Sequence, residues 1–218
     1  MKEKAIVYID GYNLYYGLIK GTPNKWLDLW AFSESLLNGR FDLVAVKYFT
    51  APIKTHPHDF AAIDRQKIYL QALKTQGKVS VIQGFYAKNK TLAPLVDDKC
   101  AACDIPKDGF IPVYKLEEKR SDVNLAVSLV ADAAQSKADC FVVVTGDSDQ
   151  VGAIEAVRYT FKKQAVVFNP HVGESKHLKR AATFYKNIPR DLPSTCQLPD
   201  AMPVGTHGNF IHRPSAWR

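Results

Sequence analysis

Four aspartates carry the side chains in this sequence best suited to chemistry. Asp10 ends the apolar run Ala5–Ile9, and Asp147 and Asp149 follow the apolar run Phe141–Val144 after Thr145-Gly146. Asp122 opens a long helical pattern that leads into that second run. Continuous apolar runs of this length suit strands buried on both faces of a parallel sheet. In such sheets the working site lies beyond the carboxyl ends of the strands, where these acids fall. Two carboxylates about 4 Å apart repel by roughly 4 kcal/mol at an effective dielectric near 20, so a group of them takes up protons or a cation. Oxygen-only ligands suit Mg²⁺ or Mn²⁺. Such a cation activates water and offsets charge on a phosphate under attack. Each aspartate taken alone is equally well explained as a helix cap. Three acidic positions at one sheet edge ask for more than capping.

The elements that would position these acids alternate. Strands are predicted at Ala5–Ile9, Leu43–Phe49, Val79–Ile82, Phe110–Tyr114, Phe141–Val144 and Ala165–Phe168. Helices are predicted at Asn13–Ile19, Leu27–Leu37, Asp59–Thr75, Ser121–Gln135, Val151–Phe161 and Glu174–Ala182. In the long helix, Val123, Ala126, Val127 and Val130 form the expected buried face. This alternation predicts an α/β fold, a Rossmann-like parallel sheet flanked by helices with right-handed crossovers. Residues 87–108, with four lysines, two prolines and two close cysteines, read as a long surface loop. The five prolines after Asn187 predict little regular structure there. The expected division is a catalytic domain over residues 1–186 and a proline-rich tail over 187–218.

At 218 residues the chain can bury one sizeable core. Its net charge of +7 favours anionic partners, nucleic acid among them. Four cysteines are too few for a disulfide framework in a chain this long. No apolar stretch reaches the roughly 18 residues that cross a membrane, and a reducing cytoplasmic setting is expected.

Three segments resemble the acidic motifs of NYN-domain proteins, within the wider PIN-like class of metal-dependent nucleases. They are Asp10-Gly11-Tyr12-Asn13-Leu14-Tyr15, the run from Glu117 to Ala126 with Asp122 inside it, and Thr145-Gly146-Asp147-Ser148-Asp149. Lys47–Ala51 and Arg65-Gln66 are also familial in character, and the likeness spans roughly Ile6 to Ala182. The resemblance implies a PIN-like fold, Mg²⁺ or Mn²⁺ held by Asp10, Asp122, Asp147 and Asp149, and hydrolysis of RNA phosphodiesters by metal-activated water. Asn13 would orient a ligand or a substrate phosphate. The rival expectations are an RNA-binding or regulatory module with little or no cleavage, and a small-molecule phosphohydrolase using the same acids.

Around the acids, Arg65, Lys119 and Arg120 are candidates to neutralise the phosphate backbone, against their ordinary fate as a solvated basic face. Tyr12 is a candidate platform for an unpaired base, against a role in the core. Cys100 and Cys103 have the spacing of half a structural zinc site, but no second pair completes it, so free thiols in a loop are the preferred reading. Ser148 lacks the flanks of a nucleophile elbow, and no glycine-rich Walker loop is present.

Overall fold

The computed structural model describes residues 2–53, 60–94, 110–205 and 208–218. Cys100 and Cys103, with the zinc expectation attached to them, lie outside the described residues.

Among the described residues, six strands form one parallel sheet: β1 (Lys4–Asp10), β2 (Asp42–Thr50), β3 (Val79–Gln83), β6 (Cys140–Val144), β7 (Gln164–Asn169) and β8 (Phe184–Asn187). Their spatial order is β3-β2-β1-β6-β7-β8. The chain therefore builds outward from β1 to one edge, then returns and builds from β6 to the other. The crevice at this reversal, between the carboxyl ends of β1 and β6, is where open α/β sheets hold ligands. The predicted α/β fold with a parallel sheet is observed, but Phe110–Tyr114, predicted as one of its strands, lies outside this sheet, and the edge strand at Phe184–Asn187 was not predicted.

Alternation along β1 feeds two cores. Ala5, Val7 and Ile9 face one layer with α2 (Leu29–Leu37) and α3 (Ala61–Gln76), while Ile6 and Tyr8 face the other with α4 (Ser121–Ala134), α5 (Val151–Glu155) and α6 (Lys176–Ala181). The helix after β1 begins as α1 (Gly11–Leu14) and widens to a π-turn over Tyr15–Ile19, closed by Lys20 N–H donating to Tyr15 O at 2.7 Å. Single π-turns inside helices recur at functional sites. No helix among the described residues is long and apolar enough to cross a membrane.

Three expectations change. First, the stretch read as a loop from residue 87 begins as β4 (Phe85–Pro94), which pairs antiparallel with β5 (Phe110–Lys119) as a separate two-stranded arm. Its residues are mostly exposed on both faces, so it has no apolar alternation to betray it. Second, the buried face of α4 is Leu125, Leu129 and Ala133, while Val123 and Val127 are exposed. Both faces satisfy helical periodicity. The observed one takes Asp132 inward, where its carboxylate accepts from the Tyr8 hydroxyl at 2.6 Å and pairs with Lys47 and Lys137. Third, residues beyond Asn187 are ordered by packing. They form α7 (Leu192–Thr195) and the hairpin of β9 (Ala201–Val204) with β10 (Asn209–His212). Ile188, Cys196, Leu198, Met202 and Ile211 are buried in the β1–α2–α3 layer. Trp26 Nε1 donates to Pro199 O at 2.8 Å, which ties this segment down.

The turn from β1 into α1 leaves no room for a side chain at Gly11. A Cβ there would meet Phe49 O at 2.6 Å and the Tyr48 ring at 2.8 Å. Gly11→Ala is therefore expected to destabilise the protein by about 1–3 kcal/mol despite alanine's better helix propensity. A circular-dichroism melt would show the midpoint falling by roughly 3–10 °C. An unchanged or higher midpoint would contradict the packing at this turn.

Candidate functional site

Asp10 is the last residue of β1 and is only 3% exposed. Its carboxylate caps α1: Asn13 N–H donates to Oδ1 at 2.9 Å, and Asn13 Nδ2 donates to Oδ2 at 2.6 Å. Thr145, just past β6, donates from Oγ1 to Asp10 Oδ2 at 3.0 Å. The same hydroxyl accepts the Asp147 N–H at 3.0 Å. One threonine thus joins the two strand ends and sets the start of the Asp147 loop. Asp147 Oδ1 in turn accepts the Asp149 N–H at 3.0 Å. Capping and clustering coexist here, because each cap leaves carboxylate lone pairs unused.

Asn13 is the hub of a second network. Its Oδ1 accepts the Gly146 N–H at 3.2 Å and lies 3.0 Å from His171 Nε2, which must carry the proton to serve an amide oxygen. The His171 N–H donates to Asn169 Oδ1 at 2.9 Å. Gly146 is wedged here, since a Cβ would meet His171 Cδ2 at 2.4 Å. Asn13, expected to touch a ligand or phosphate, spends its amide on Asp10, Gly146 and His171, so its observed contacts position the acids.

Asp122 lies in the first turn of α4, after Arg120 in a left-handed conformation (φ 78°). Gln150, buried in the Asp147 loop, donates from Nε2 to Asp122 O at 3.3 Å and brings the helix start to the loop. The Asp122 carboxyl is pushed up to about 6, by burial first and then by the negative charges of Asp10, Asp147 and Asp149. Burial likewise raises Asp10, which its hydrogen bonds from Asn13 and Thr145 counter and the Asp147 charge reinforces. The four aspartates therefore share one field. Among the described residues no three His, Cys, Asp or Glu side chains form a ready-made cation cage. Mg²⁺ does not need one: it keeps several waters and takes one or two carboxylates directly. The oxygen-only donor set and its unrelieved repulsion fit such an ion.

The remaining candidates divide. Tyr12 and Arg65 line a cleft of about 250 Å³ beside the acids. Arg120 stacks its guanidinium over Phe85, 4.9 Å from the ring centre. Lys119 pairs with Glu117 at 2.8 Å, on the face of β5 opposite to Glu118. Thr145, Asn169, His171 and Gln150 were not singled out from the sequence. Thr145 lay inside a recognised motif. Asn169 ends β7, so the rule that drew attention to the ends of β1 and β6 applied to it as well. Glu118 also was missed as an individual. It is half-buried in the cleft, its carboxyl raised by burial first, lowered in part by the Ser121 hydroxyl, and raised again by the Asp122 charge.

Residues 4–188 match the NYN domain family. The chain belongs to that family. A curated member of the same sequence neighbourhood, named 6-hydroxy-3-succinoylpyridine 3-monooxygenase HspA, from Pseudomonas putida (strain DSM 28022 / S16), is 32% identical over 220 residues, covering 90% of this chain and 70% of that one. A crystal structure of a protein of unknown function from Vibrio parahaemolyticus aligns over 90% of this chain and 97% of its own, with a TM-score of 0.53 and 18% identity. That likeness is one of fold. In this NYN chain the acidic motifs stand on the two central strands and on the helix before the second of them.

The raised Asp122 carboxyl gives a pH signature in cation-free protein. An acid whose folded pKa exceeds its unfolded value costs stability above the folded pKa, and the cost vanishes below the unfolded one. Here the window runs from about 6 down to the ordinary aspartate value of 3.8. Comparing melts of Asp122→Asn with wild type in chelator, the midpoint difference should shift in the mutant's favour by about 1–3 °C between pH 4 and pH 8. A difference independent of pH would remove Asp122 from the shared field.

Proposed function

We propose that this NYN protein is a divalent-metal-dependent ribonuclease. The observation that carries the reading is the hydrogen-bonded bridge Asp10–Thr145–Asp147 across the β1/β6 crevice, with Asp122 and Asp149 inside the same negative field. Asp10, Asp122, Asp147 and Asp149 would hold Mg²⁺ or Mn²⁺, directly or through water. When bound, such an ion acidifies an attacking water and offsets negative charge on the phosphate.

The chain's own groups do the rest. Asn13 and Thr145 fix the Asp10 carboxylate and keep it in hydrogen-bonding company despite burial. His171 and Gly146 hold Asn13 in turn. Asp147 and Asp149 sit at the rim, where a carboxylate can take a proton from water or orient it. In the reaction a bond forms between water oxygen and phosphorus, and the bond from phosphorus to the leaving ribose 3′ oxygen breaks. The products are a 5′-phosphate and a 3′-hydroxyl. Lys20, Lys25 and Arg65 along the neighbouring cleft supply positive charge for the backbone.

A second reading has its own support: the relative named a pyridine 3-monooxygenase matches 90% of this chain at 32% identity. In that reading the cleft would hold a hydroxylated heteroaromatic acid. One atom of dioxygen would enter the ring and the other would leave as water, with two electrons and two protons from a supplied reductant.

Asp147→Asn separates these readings from a purely structural role. The amide is a far weaker ligand for a hard cation, while its size leaves packing intact. Cleavage of single-stranded RNA in Mg²⁺ or Mn²⁺ should fall by at least about 100-fold with an unchanged melting midpoint. Chelator should abolish wild-type cleavage. A folded mutant that cleaves at the wild-type rate would exclude Asp147 from the site. Wild type that cleaves no RNA, but consumes dioxygen with a hydroxypyridine acid and a reductant, would favour the second reading.

A further inference from the structure

The cleft beside the acids has an unusual lining. Six of the ten tyrosines in the chain face it: Tyr12, Tyr15, Tyr16, Tyr48, Tyr69 and Tyr86. They come from the first helix and its π-turn, the end of β2, α3 and the β4–β5 arm, so the lining is assembled from distant sequence. Tyr12 and Tyr16 lie 4.4 Å apart, ring centre to ring centre, and each is about half exposed to solvent. Exposed aromatic faces beside a cleft are ordinarily costly, and they suit stacking on a planar ring. Trp217, from the C-terminal segment, forms part of the wall and packs tilted against Trp26 at 6.3 Å and edge-on to Tyr69 at 6.1 Å.

The polar groups in this wall are few and differ in kind. Lys25 lines the cleft and has no carboxylate partner among the described residues. Lys20, over the Tyr16 ring at 4.7 Å, and Arg65 from α3 add two further positive charges. Glu118 faces in from β5, opposite Tyr86 in the arm's register. Its Oε1 is enclosed and makes no full hydrogen bond, and the Ser121 hydroxyl that tempers its charge is likewise left without one. A buried acceptor without a donor is unfavourable, and a ligand donor would relieve it.

We propose that this cleft is a ring-binding subsite for a planar heteroaromatic group that offers an N–H or O–H to Glu118 and carries an anionic substituent read by Lys25 and Arg65. About 250 Å³ holds one such ring and not a folded polymer segment. The inference extends the proposed ribonuclease function by naming what lies next to the cleaved phosphate: a single nucleotide base with its phosphate. A free hydroxypyridine acid presents the same chemistry, and the test separates the two sources.

Isothermal titration calorimetry is run in chelator, so that binding is read without cleavage. The probes are uridine 5′-monophosphate and 6-hydroxynicotinate, with ribose 5-phosphate and cyclohexanecarboxylate as non-aromatic controls. At least one aromatic anion should bind at least tenfold more tightly than its control. Tyr12→Ala and Lys25→Gln should each weaken that binding by roughly tenfold, and Glu118→Leu by a similar factor, with melting midpoints checked for each variant. Asp147→Asn should bind the ring as wild type does. Preference for the nucleotide assigns the subsite to RNA, and preference for the pyridine acid assigns it to a small substrate. Either outcome supports the ring subsite. Equal binding of rings and controls, or no effect of Tyr12→Ala and Lys25→Gln, overturns it while leaving the ribonuclease reading intact. Ring binding by a protein that cleaves no RNA would do the reverse.

Discussion

Burying the Asp10 carboxylate at the end of β1 sets terms that the surrounding structure must meet. A buried charge without hydrogen bonds is strongly unfavourable. Here three donations from two residues answer it. Asn13 can reach back only because the chain turns directly into a helix, and that turn requires a residue with no Cβ at Gly11. Thr145 can reach across only because β6 lies beside β1 in parallel register, with Ile9 opposite Val144. The order of the sheet, the glycine and the helix start are thus consequences of one interaction. Burial still holds the Asp10 and Asp122 carboxyls above their ordinary range, with the neighbouring negative charges adding to it, so the hydrogen bonds offset only part of the cost.

Much of this was legible in the sequence, for a physical reason. Central strands of a parallel sheet are buried on both faces, so AIVYI and FVVV announce themselves, and the acids that end them are found by position. The arm of β4 and β5 was half hidden because a ladder exposed on both faces needs no apolar alternation. The buried side of α4 was misjudged because its valines and leucines obey the same period, and only the inward Asp132 with Tyr8 and Lys47 decides between them. The C-terminal segment looked irregular from its prolines. Its order comes from long-range contacts such as Leu198 N–H donating to Trp26 O at 2.9 Å, which composition cannot reveal.

In the site, the aspartates and Asn13 were visible, and their other supports were not. Acidic residues at strand ends carry a positional signal. His171 and Asn169 act through hydrogen bonds that exist only once β7 lies beside β6. The cleft was the least visible feature of all. Tyr12, Tyr15 and Tyr16 stood together in the sequence, but Tyr48, Tyr69 and Tyr86 joined them only through folding.

The family match stops at residue 188, and Trp217 lies beyond it. The acids lie inside the stretch that matches the NYN family, whereas part of the cleft's wall is supplied by a segment outside that stretch. Evolution can therefore act on the two independently. Drift in the last thirty or so residues would reshape what the cleft admits while the aspartates and their hydrogen bonds stay as they are. Two relatives with identical motifs could then part company in their substrates, which makes the motif alone a poor guide to what any one of them consumes.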